Sequence, residues 1–178
     1  MKILKTPLDG LLVIKQSNYK DNRGSLRETS NHKIINNKVF KYEYSSMSKK
    51  NVMRGFHFQT RFQQIKFVNV LKGKILDCVV DLRKRSKTFG KTFTTVLSQK
   101  NCKSLYIPEG FGHSYLGLSN ESIVYYKMSD YFKPNFYSGI IYNDRDLNVK
   151  WPKFKPIISD KDKKLSTFKE FCKKYNGL

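Results

Sequence analysis

The sequence predicts a mainly β protein, a sandwich or a barrel, that ends in a helix. Short segments rich in β-branched and aromatic residues recur along the chain at the spacing typical of such folds. Polar or glycine-containing turns separate these segments. Only near the end does the apolar spacing change to three and four residues, the period of an amphipathic helix. Because 178 residues make one domain of ordinary size, we expect a single domain over residues 1–178.

Six strands are predicted between residues 66 and 128. The first two, 66–71 and 74–82, flank Lys72-Gly73, and this spacing predicts a hairpin because glycine readily adopts the positive φ of a tight turn. The other four cover residues 92–98, 104–107, 114–118 and 122–128.

A single helix is predicted over residues 159–175, with Gly177 as its C-cap. Its apolar residues fall on one face, which should pack on the β core. These residues are Leu165, Phe168, Phe171, Cys172 and Tyr175.

The chain is strongly basic, with 35 Lys and Arg against 14 Asp and Glu and a net charge of +21. This charge favours an acidic partner, and nucleic acid is one class to consider. However, the basic residues are spread along the whole chain, most are lysines on faces expected to be solvated, and no nucleic-acid-binding module is recognisable. We therefore expect no nucleic-acid partner.

The apolar runs are far shorter than the ~20 residues that span a bilayer, so no membrane association is expected. The first 16 residues lack the apolar core and cleavage site of a signal peptide. The three cysteines, at wide spacings, are typical of free thiols in a reducing compartment. Together these features predict a cytoplasmic protein.

The chain has only three histidines: His32, His57 and His113. His57 and His113 lie in glycine-marked segments at the ends of predicted strands, where either a structural or a catalytic role is possible. No H-x-H or H-x-x-x-H pattern occurs, so we expect no metal site.

A series of ordered motifs extends these observations over nearly the whole chain. The series resembles the RmlC family of nucleotide-diphosphate 4-keto-sugar epimerases. The resemblance implies a cupin-like jelly-roll barrel with a C-terminal helix, no metal or other cofactor, a homodimer, and a sugar nucleotide in the barrel mouth. The motifs are Asp21-x-Arg23-Gly24-x-x-x-Glu28, residues 51–59 (NVMRGFHFQ), residues 66–68 (KFV), residues 80–90 (VDLRKRSKTFG), residues 107–113 (IPEGFGH), Asn143-Asp144 and Trp151-Pro152.

Epimerisation beside a ketone requires a base, an acid on the opposite face of the sugar, and a group that stabilises the enolate oxygen. An imidazole suits the base, particularly when a carboxylate fixes its tautomer. The resemblance implies that His57 is the base and Asp162 its partner. Ser159-x-x-Asp162 also fits a capping box at the start of the last helix, and both roles can hold together. Asp160 is the alternative partner.

The resemblance also implies the remaining roles. Tyr131 would be the acid, because it is the first of two aromatic residues before Pro134, and Lys66 and His113 would lie near the C4 oxygen. Arg54 would contact the pyrophosphate, with Lys161 as a second candidate. Tyr19 would stack on the base of the nucleotide.

Arg23 and Glu28 resemble a pair that reaches across the dimer interface, although a surface ion pair between them would look the same in the sequence.

Three tyrosines depart from the family pattern of the rhamnose enzymes. Tyr42 and Tyr44 stand where those enzymes have Gln-x-Asn, and Tyr137 stands where they have a glutamate. Phenols change both the volume and the hydrogen bonding of a pocket. We therefore expect a different sugar, on either a dTDP or a GDP nucleotide.

The predicted function is an epimerase that inverts C3, or C3 and C5, of a nucleotide-diphosphate 4-keto sugar for surface-polysaccharide biosynthesis. The reaction proceeds by deprotonation to an enolate and reprotonation of that enolate. Two alternatives are a ketoisomerase of related fold and a non-catalytic barrel that binds polyanions.

Overall fold

The computed structural model describes residues 1–178 except 32, 34, 36 and 37, so His32 lies outside the described residues. Strands make up most of the regular structure. They are β1 (Lys2–Lys5), β2 (Leu12–Lys15), β3 (Asn18–Asp21), β4 (Gly24–Arg27), β5 (Tyr42–Lys49), β6 (Met53–Gln59), β7 (Lys66–Lys72), β8 (Lys74–Asp81), β9 (Thr92–Ser98), β10 (Lys103–Ile107), β11 (Phe111–Gly117), β12 (Glu121–Met128) and β13 (Tyr137–Gly139). The helices are a 3-10 turn, Pro134–Phe136, followed by α1 (Asp160–Lys163) and α2 (Phe168–Tyr175).

Most strands belong to two antiparallel sheets. Sheet one has the order β1-β2-β10-β7-β12-β5, and sheet two has the order β13-β6-β11-β8-β9. β3 and β4 form a separate two-stranded hairpin. The mainly β class predicted from the sequence is confirmed, and the two sheets face each other as in a jelly roll without closing into a continuous barrel.

The space between the sheets holds the largest apolar cluster, which includes Val68, Val79, Leu105 and Val124. Two hydroxyl contacts tie the sheets together at one end: the Tyr115 hydroxyl of β11 lies 3.0 Å from Ser46 Oγ and 2.9 Å from Ser48 Oγ, both on β5. β5 therefore lies across the interior from β11. A second apolar cluster fills the space between the outer face of sheet two and α2.

The predicted strands are close to those observed, but the predicted hairpin at Lys72-Gly73 is wrong. β7 pairs with β10 and β12, whereas β8 pairs with β11 and β9. The turn therefore carries the chain from one sheet to the other. Gly73 has a φ of 77°, and a Cβ there would lie 2.2 Å from the Glu121 carbonyl oxygen, so the crossing requires glycine.

The predicted single helix is also wrong, because it is broken into α1 and α2. Between them, Ser166 pairs with Ile140, and the Ile141 N–H donates to the Ser166 carbonyl. Thr167 then begins α2 through a reciprocal capping box with Glu170. The helix ends at Asn176 in the left-handed conformation, and Gly177 is the next residue rather than the cap.

The three cysteines are free thiols, as predicted. In the part of the chain that the structure describes, no helix has the length and apolar character needed to cross a membrane.

Candidate active site

The centre of the site is a contact between an imidazole and a carboxylate. His57 lies on β6, and its Nε2 is 2.8 Å from Asp162 Oδ1. The second oxygen, Oδ2, accepts a hydrogen bond of 3.2 Å from the Gly55 N–H. Because Nε2 faces a carboxylate, it carries the proton in the neutral imidazole, which leaves the Nδ1 lone pair free to take a proton.

Backbone pairing and a helix cap place Asp162 next to His57. Ile157 pairs with Val52 just before β6, and its carbonyl accepts a hydrogen bond from the Met53 N–H. Ser159 then caps α1, with its hydroxyl accepting from the Asp162 N–H at 3.1 Å. The backbone of Asp162 is thus part of a helix cap while its side chain holds His57. Asp160 instead contacts Lys163 at the surface.

Burial lowers the pKa of His57 below its ordinary value, and the charge of Asp162 offsets this only in part. Burial acts to raise the pKa of Asp162, but the hydrogen bond and charge from His57 outweigh it and lower that pKa. The pair is therefore a neutral imidazole held by an ionised carboxylate at neutral pH. This is the protonation state that a general base requires.

Two further ionisable side chains face the same space. Lys66, on β7 of the opposite sheet, donates from Nζ to the His57 carbonyl at 3.1 Å. Burial lowers its pKa to about 8, against the attraction of Asp77. His113, on β11, lies with its Nε2 2.8 Å from the fully buried Asp77 carboxylate. Lys66 can present a cationic N–H donor to a developing oxyanion, and His113 can do so through Nδ1–H in its imidazolium form, because its Nε2–H faces Asp77.

These groups line one open cavity between the sheets, which accommodates a ligand against the dyad. Its lining residues are Tyr44, Ser46, Arg54, His57, Phe58, Gln59, Gln64, Lys66, His113, Tyr115, Tyr126, Met128, Phe132 and Tyr137.

Tyr131 is not brought into this cavity. It is 58 % exposed, and its ring centre lies 6.4 Å from that of Tyr42, which does not line the cavity either. The following residue, Phe132, lines the cavity and has no hydroxyl. The catalytic role of Tyr131 stays a prediction.

The predicted phosphate-binding cations lie near the cavity. Arg54 lines it and is held on β5 by hydrogen bonds to Ser48 Oγ at 3.1 Å and to the Met47 carbonyl at 3.2 Å. Lys161 Nζ lies 3.8 Å from the centre of the Tyr137 ring.

The three tyrosines that depart from the family pattern lie near one another. Tyr137 packs against His57 with ring centres 5.2 Å apart, and Tyr44 stacks on Tyr126 at 4.6 Å. Tyr42 packs against Tyr44, with ring centres 5.5 Å apart.

The remaining predicted binding residues lie outside this cavity. Tyr19 and Arg23 belong to the β3–β4 hairpin, where both are exposed and line a separate surface depression. Arg23 pairs with Asp21 at 2.6 Å rather than with Glu28, which is half-buried. Within one chain, the hairpin does not contribute to the cavity lining.

Asp77 is a site residue that the sequence motifs did not reveal. A signal was present: a carboxylate in the apolar strand 75–80 (ILDCVV) must be paired, because an isolated buried charge is costly. Its partner, His113, is 36 residues away, and only the sheet register brings the two together.

The model of the dTDP-4-dehydrorhamnose 3,5-epimerase family matches residues 5–170. The chain belongs to this family. The enzyme of that name from Methanothermobacter thermautotrophicus is 39 % identical over 176 residues, which cover 95 % of each chain. The crystal structure of the Elizabethkingia anophelis enzyme has a TM-score of 0.90 at 34 % identity, covering 96 % of this chain and 97 % of that one.

A third relative was crystallised with a ligand. It is dTDP-6-deoxy-D-glucose-3,5-epimerase from Legionella pneumophila, in complex with dTDP-4-keto-L-rhamnose. It superposes with a TM-score of 0.89 at 33 % identity, over 93 % of this chain and 92 % of that one. The family membership makes this chain an enzyme of the isomerase class, a nucleotide-sugar epimerase.

Proposed function

We propose that this enzyme inverts C3, or C3 and C5, of a dTDP-linked 4-keto-6-deoxy sugar, supplying a sugar for surface polysaccharide. The observation that carries the proposal is the His57–Asp162 pair, which faces a cavity that also holds Lys66 and His113. A C–H bond next to a ketone is acidic enough to be broken by an imidazole only if the enolate oxygen is stabilised. The cavity offers both groups.

In the proposed mechanism, Nδ1 of neutral His57 removes the proton from C3 or C5. Asp162 stabilises the imidazolium that forms and keeps the ring in one orientation. The enolate oxygen at C4 receives hydrogen bonds from the Lys66 ammonium and from Nδ1–H of His113 in its imidazolium form, and the positions of the two side chains are fixed by the His57 carbonyl and by Asp77. A proton then returns from the opposite face and inverts the centre.

Cationic and aromatic side chains are assigned the role of binding the nucleotide end of the substrate. Arg54, at the cavity wall, would contact the pyrophosphate, with Lys161 as a second contact. dTDP is the nucleotide that the names of the relatives favour, and GDP is the alternative. The enzyme would act in the cytoplasm.

A homodimer is part of the same proposal. The β3–β4 hairpin exposes Tyr19 and Leu26, and neither residue lines the cavity of its own chain. In a homodimer, Tyr19, Arg23 and Glu28 would be available to the site of the partner. Light scattering at micromolar concentration should give twice the mass of the chain, and a monomer that is fully active would contradict this part.

The decisive experiment is incubation of dTDP-4-keto-6-deoxy-D-glucose and a GDP-linked 4-keto sugar with the enzyme in D2O. The product mass should rise by one deuterium if only C3 is inverted and by two if C5 follows. His57→Asn should slow exchange by about 10²–10⁴-fold, the usual cost of losing a general base. Movement of the carbonyl without inversion would indicate a ketoisomerase. If neither sugar exchanges deuterium and the protein instead binds DNA in a salt-sensitive way, the polyanion-binding alternative is favoured.

A separate measurement tests the binding residues. Arg54→Ala should weaken dTDP binding several-fold and reduce its salt dependence, because a charge contact is lost. Tyr19→Ala should weaken binding without changing the salt dependence. Calorimetry with dTDP and GDP measures both effects, and equal pyrophosphate affinity in wild type and Arg54→Ala would contradict the role of Arg54.

A further inference from the structure

One connecting loop joins the two walls of the active site. It covers residues 60–65 and links β6, which carries His57, to β7, which carries Lys66. The same loop is hydrogen-bonded to the segment 129–136 that follows β12, where Tyr131 is found. The predicted base, the predicted oxyanion donor and the predicted acid therefore depend on one junction.

Backbone groups fasten the loop to the segment at both ends of this junction. At one end, the Ser129 N–H donates to the Ile65 carbonyl at 3.0 Å, and the Ser129 hydroxyl accepts from the Ile65 N–H at 2.8 Å. At the other end, the Thr60 N–H donates to the Phe136 carbonyl at 2.9 Å. Residues 130–133 lie between these two ties, where side chains take over.

Two glutamines hold the middle of the segment. Gln64 Nε2 donates to the Asp130 carbonyl at 2.7 Å. Gln59 accepts at Oε1 from the Lys133 N–H at 2.6 Å and donates from Nε2 to the Phe62 carbonyl at 2.7 Å. Because Gln59 meets one donor and one acceptor, the orientation of its amide is fixed. Both glutamines line the cavity, and Gln59 is only 5 % exposed.

The glutamine contacts lie on either side of the pair Tyr131 and Phe132. Phe132 lines the cavity, whereas Tyr131 is exposed and its ring packs against Tyr42. With the flanking peptides held, the Tyr131 ring can approach a bound sugar by rotation of its side chain, without movement of the chain. A reacting group whose backbone is already ordered loses less freedom when it acts.

We infer that Gln59 and Gln64 are positioning residues, which hold residues 130–133 where a proton can return to the enolate from this segment. The inference rests on the proposed epimerase function and on the predicted role of Tyr131. It concerns the return of the proton rather than its removal, because neither glutamine side chain is hydrogen-bonded to His57 within the described residues.

The test replaces single glutamines with methionine, which keeps the length of the side chain but cannot form these hydrogen bonds. Gln64→Met loses the bond to Asp130, and Gln59→Met loses both of its bonds. Gln63→Met is the matched control, because Gln63 does not line the cavity and its side chain makes no hydrogen bond in the described part of the chain.

The first readout is deuterium incorporation from D2O with dTDP-4-keto-6-deoxy-D-glucose. Gln64→Met and Gln59→Met should invert the sugar more slowly by roughly 10-fold to 10²-fold, the scale of loss from a displaced reacting group. Deuterium should still enter recovered substrate through His57 within a few-fold of the wild-type rate. Gln63→Met should match wild type in both rates.

The second readout is amide hydrogen exchange of peptides that cover residues 129–136. Exchange should be faster in Gln64→Met and Gln59→Met than in wild type and Gln63→Met, because the segment is held less firmly. The dTDP affinity should stay unchanged in all three variants. Because Gln64 is half-buried, Gln64→Met tests the inference even if Gln59→Met folds poorly.

Four results would overturn the assignment: inversion at the wild-type rate in Gln64→Met, equal loss of inversion and of deuterium entry, weaker dTDP binding as the sole change, or the same loss in Gln63→Met. An active wild type with unchanged variants contradicts the positioning role alone. If wild type itself inverts neither centre, the proposed function fails and the positioning role fails with it.

Discussion

At the scale of single residues, Asp162 has two separable functions. Its N–H is capped by Ser159, and its carboxylate holds His57. In Asp162→Asn the cap is kept but the charge is lost, so the His57 pKa should fall further and kcat should drop by roughly tenfold or more. The acid limb of the pH profile should move to lower pH, because a weaker base stays neutral to lower pH.

Asp160→Asn is the matched control, since Asp160 is two residues away and its carboxylate accepts a hydrogen bond from Lys163 at the surface. Its kcat and pH profile should equal those of wild type. If Asp162→Asn leaves both kcat and the pH profile unchanged, the Asp162 carboxylate has no part in catalysis and only the backbone cap with Ser159 remains as its role.

A second prediction at this scale concerns Lys66. Its pKa of about 8 means that it is charged below that pH and neutral above it. If the charged form stabilises the enolate, kcat/KM should fall above about pH 8, while protonation of His57 limits it at acid pH. Lys66→Arg should keep its charge and abolish the alkaline limb, and an unchanged limb in that variant would assign it to another group.

The resemblance predicted that His57, Asp162, Lys66 and His113 share one site, and the structure brings these side chains together, while their catalytic roles stay predictions. The position of Tyr131 could not be predicted in this way. It lies in the irregular segment after β12, where side-chain direction depends on contacts with distant residues such as Tyr42.

At the scale of elements, Gly55 joins the dyad to the sheet. Its φ is 98°, and a Cβ there would lie 2.3 Å from the His113 carbonyl oxygen and 2.9 Å from Ser114 Cα. Both neighbours are backbone atoms, so neither can yield without moving β11. Gly55→Ala should therefore destabilise the protein strongly and displace the N–H that donates to Asp162.

Gly24→Ala is the control for backbone strain alone, because Gly24 also has a positive φ but no neighbouring atom lies within 4 Å of the position that a Cβ would take. Strain of this kind costs about 1–3 kcal/mol. Urea denaturation should show a larger loss for Gly55→Ala than for Gly24→Ala. Equal losses would mean that the close approach to β11 contributes nothing.

The strand and helix predictions failed where distant pairing decided the outcome. The apolar spacing of residues 159–175 fits a continuous helix, but pairing of Ser166 with Ile140 interrupts it. Likewise, nothing local in the sequence distinguishes a hairpin at Gly73 from a crossing between sheets. Local pattern determines which residues are extended, whereas partner choice depends on the rest of the fold.

At the scale of the whole molecule, the net charge of +21 acts on an anionic substrate. Long-range attraction should raise the association rate, and salt should screen it over about 10 Å at 0.1 M. We expect kcat/KM to fall several-fold between roughly 20 and 200 mM NaCl with kcat nearly constant. A salt-independent kcat/KM would mean that the surface charge has no part in substrate capture.

The alternation of strands between the two sheets also has a consequence for synthesis of the chain. β2 pairs with β10, about 90 residues later, and β5 pairs only with β12 in its sheet. A ribosome adds roughly 5–20 residues per second, so about 5–20 s pass between the synthesis of β2 and the synthesis of β10. During that time the apolar residues of β2 face water, and the nascent chain depends on chaperones or on rapid collapse to avoid aggregation.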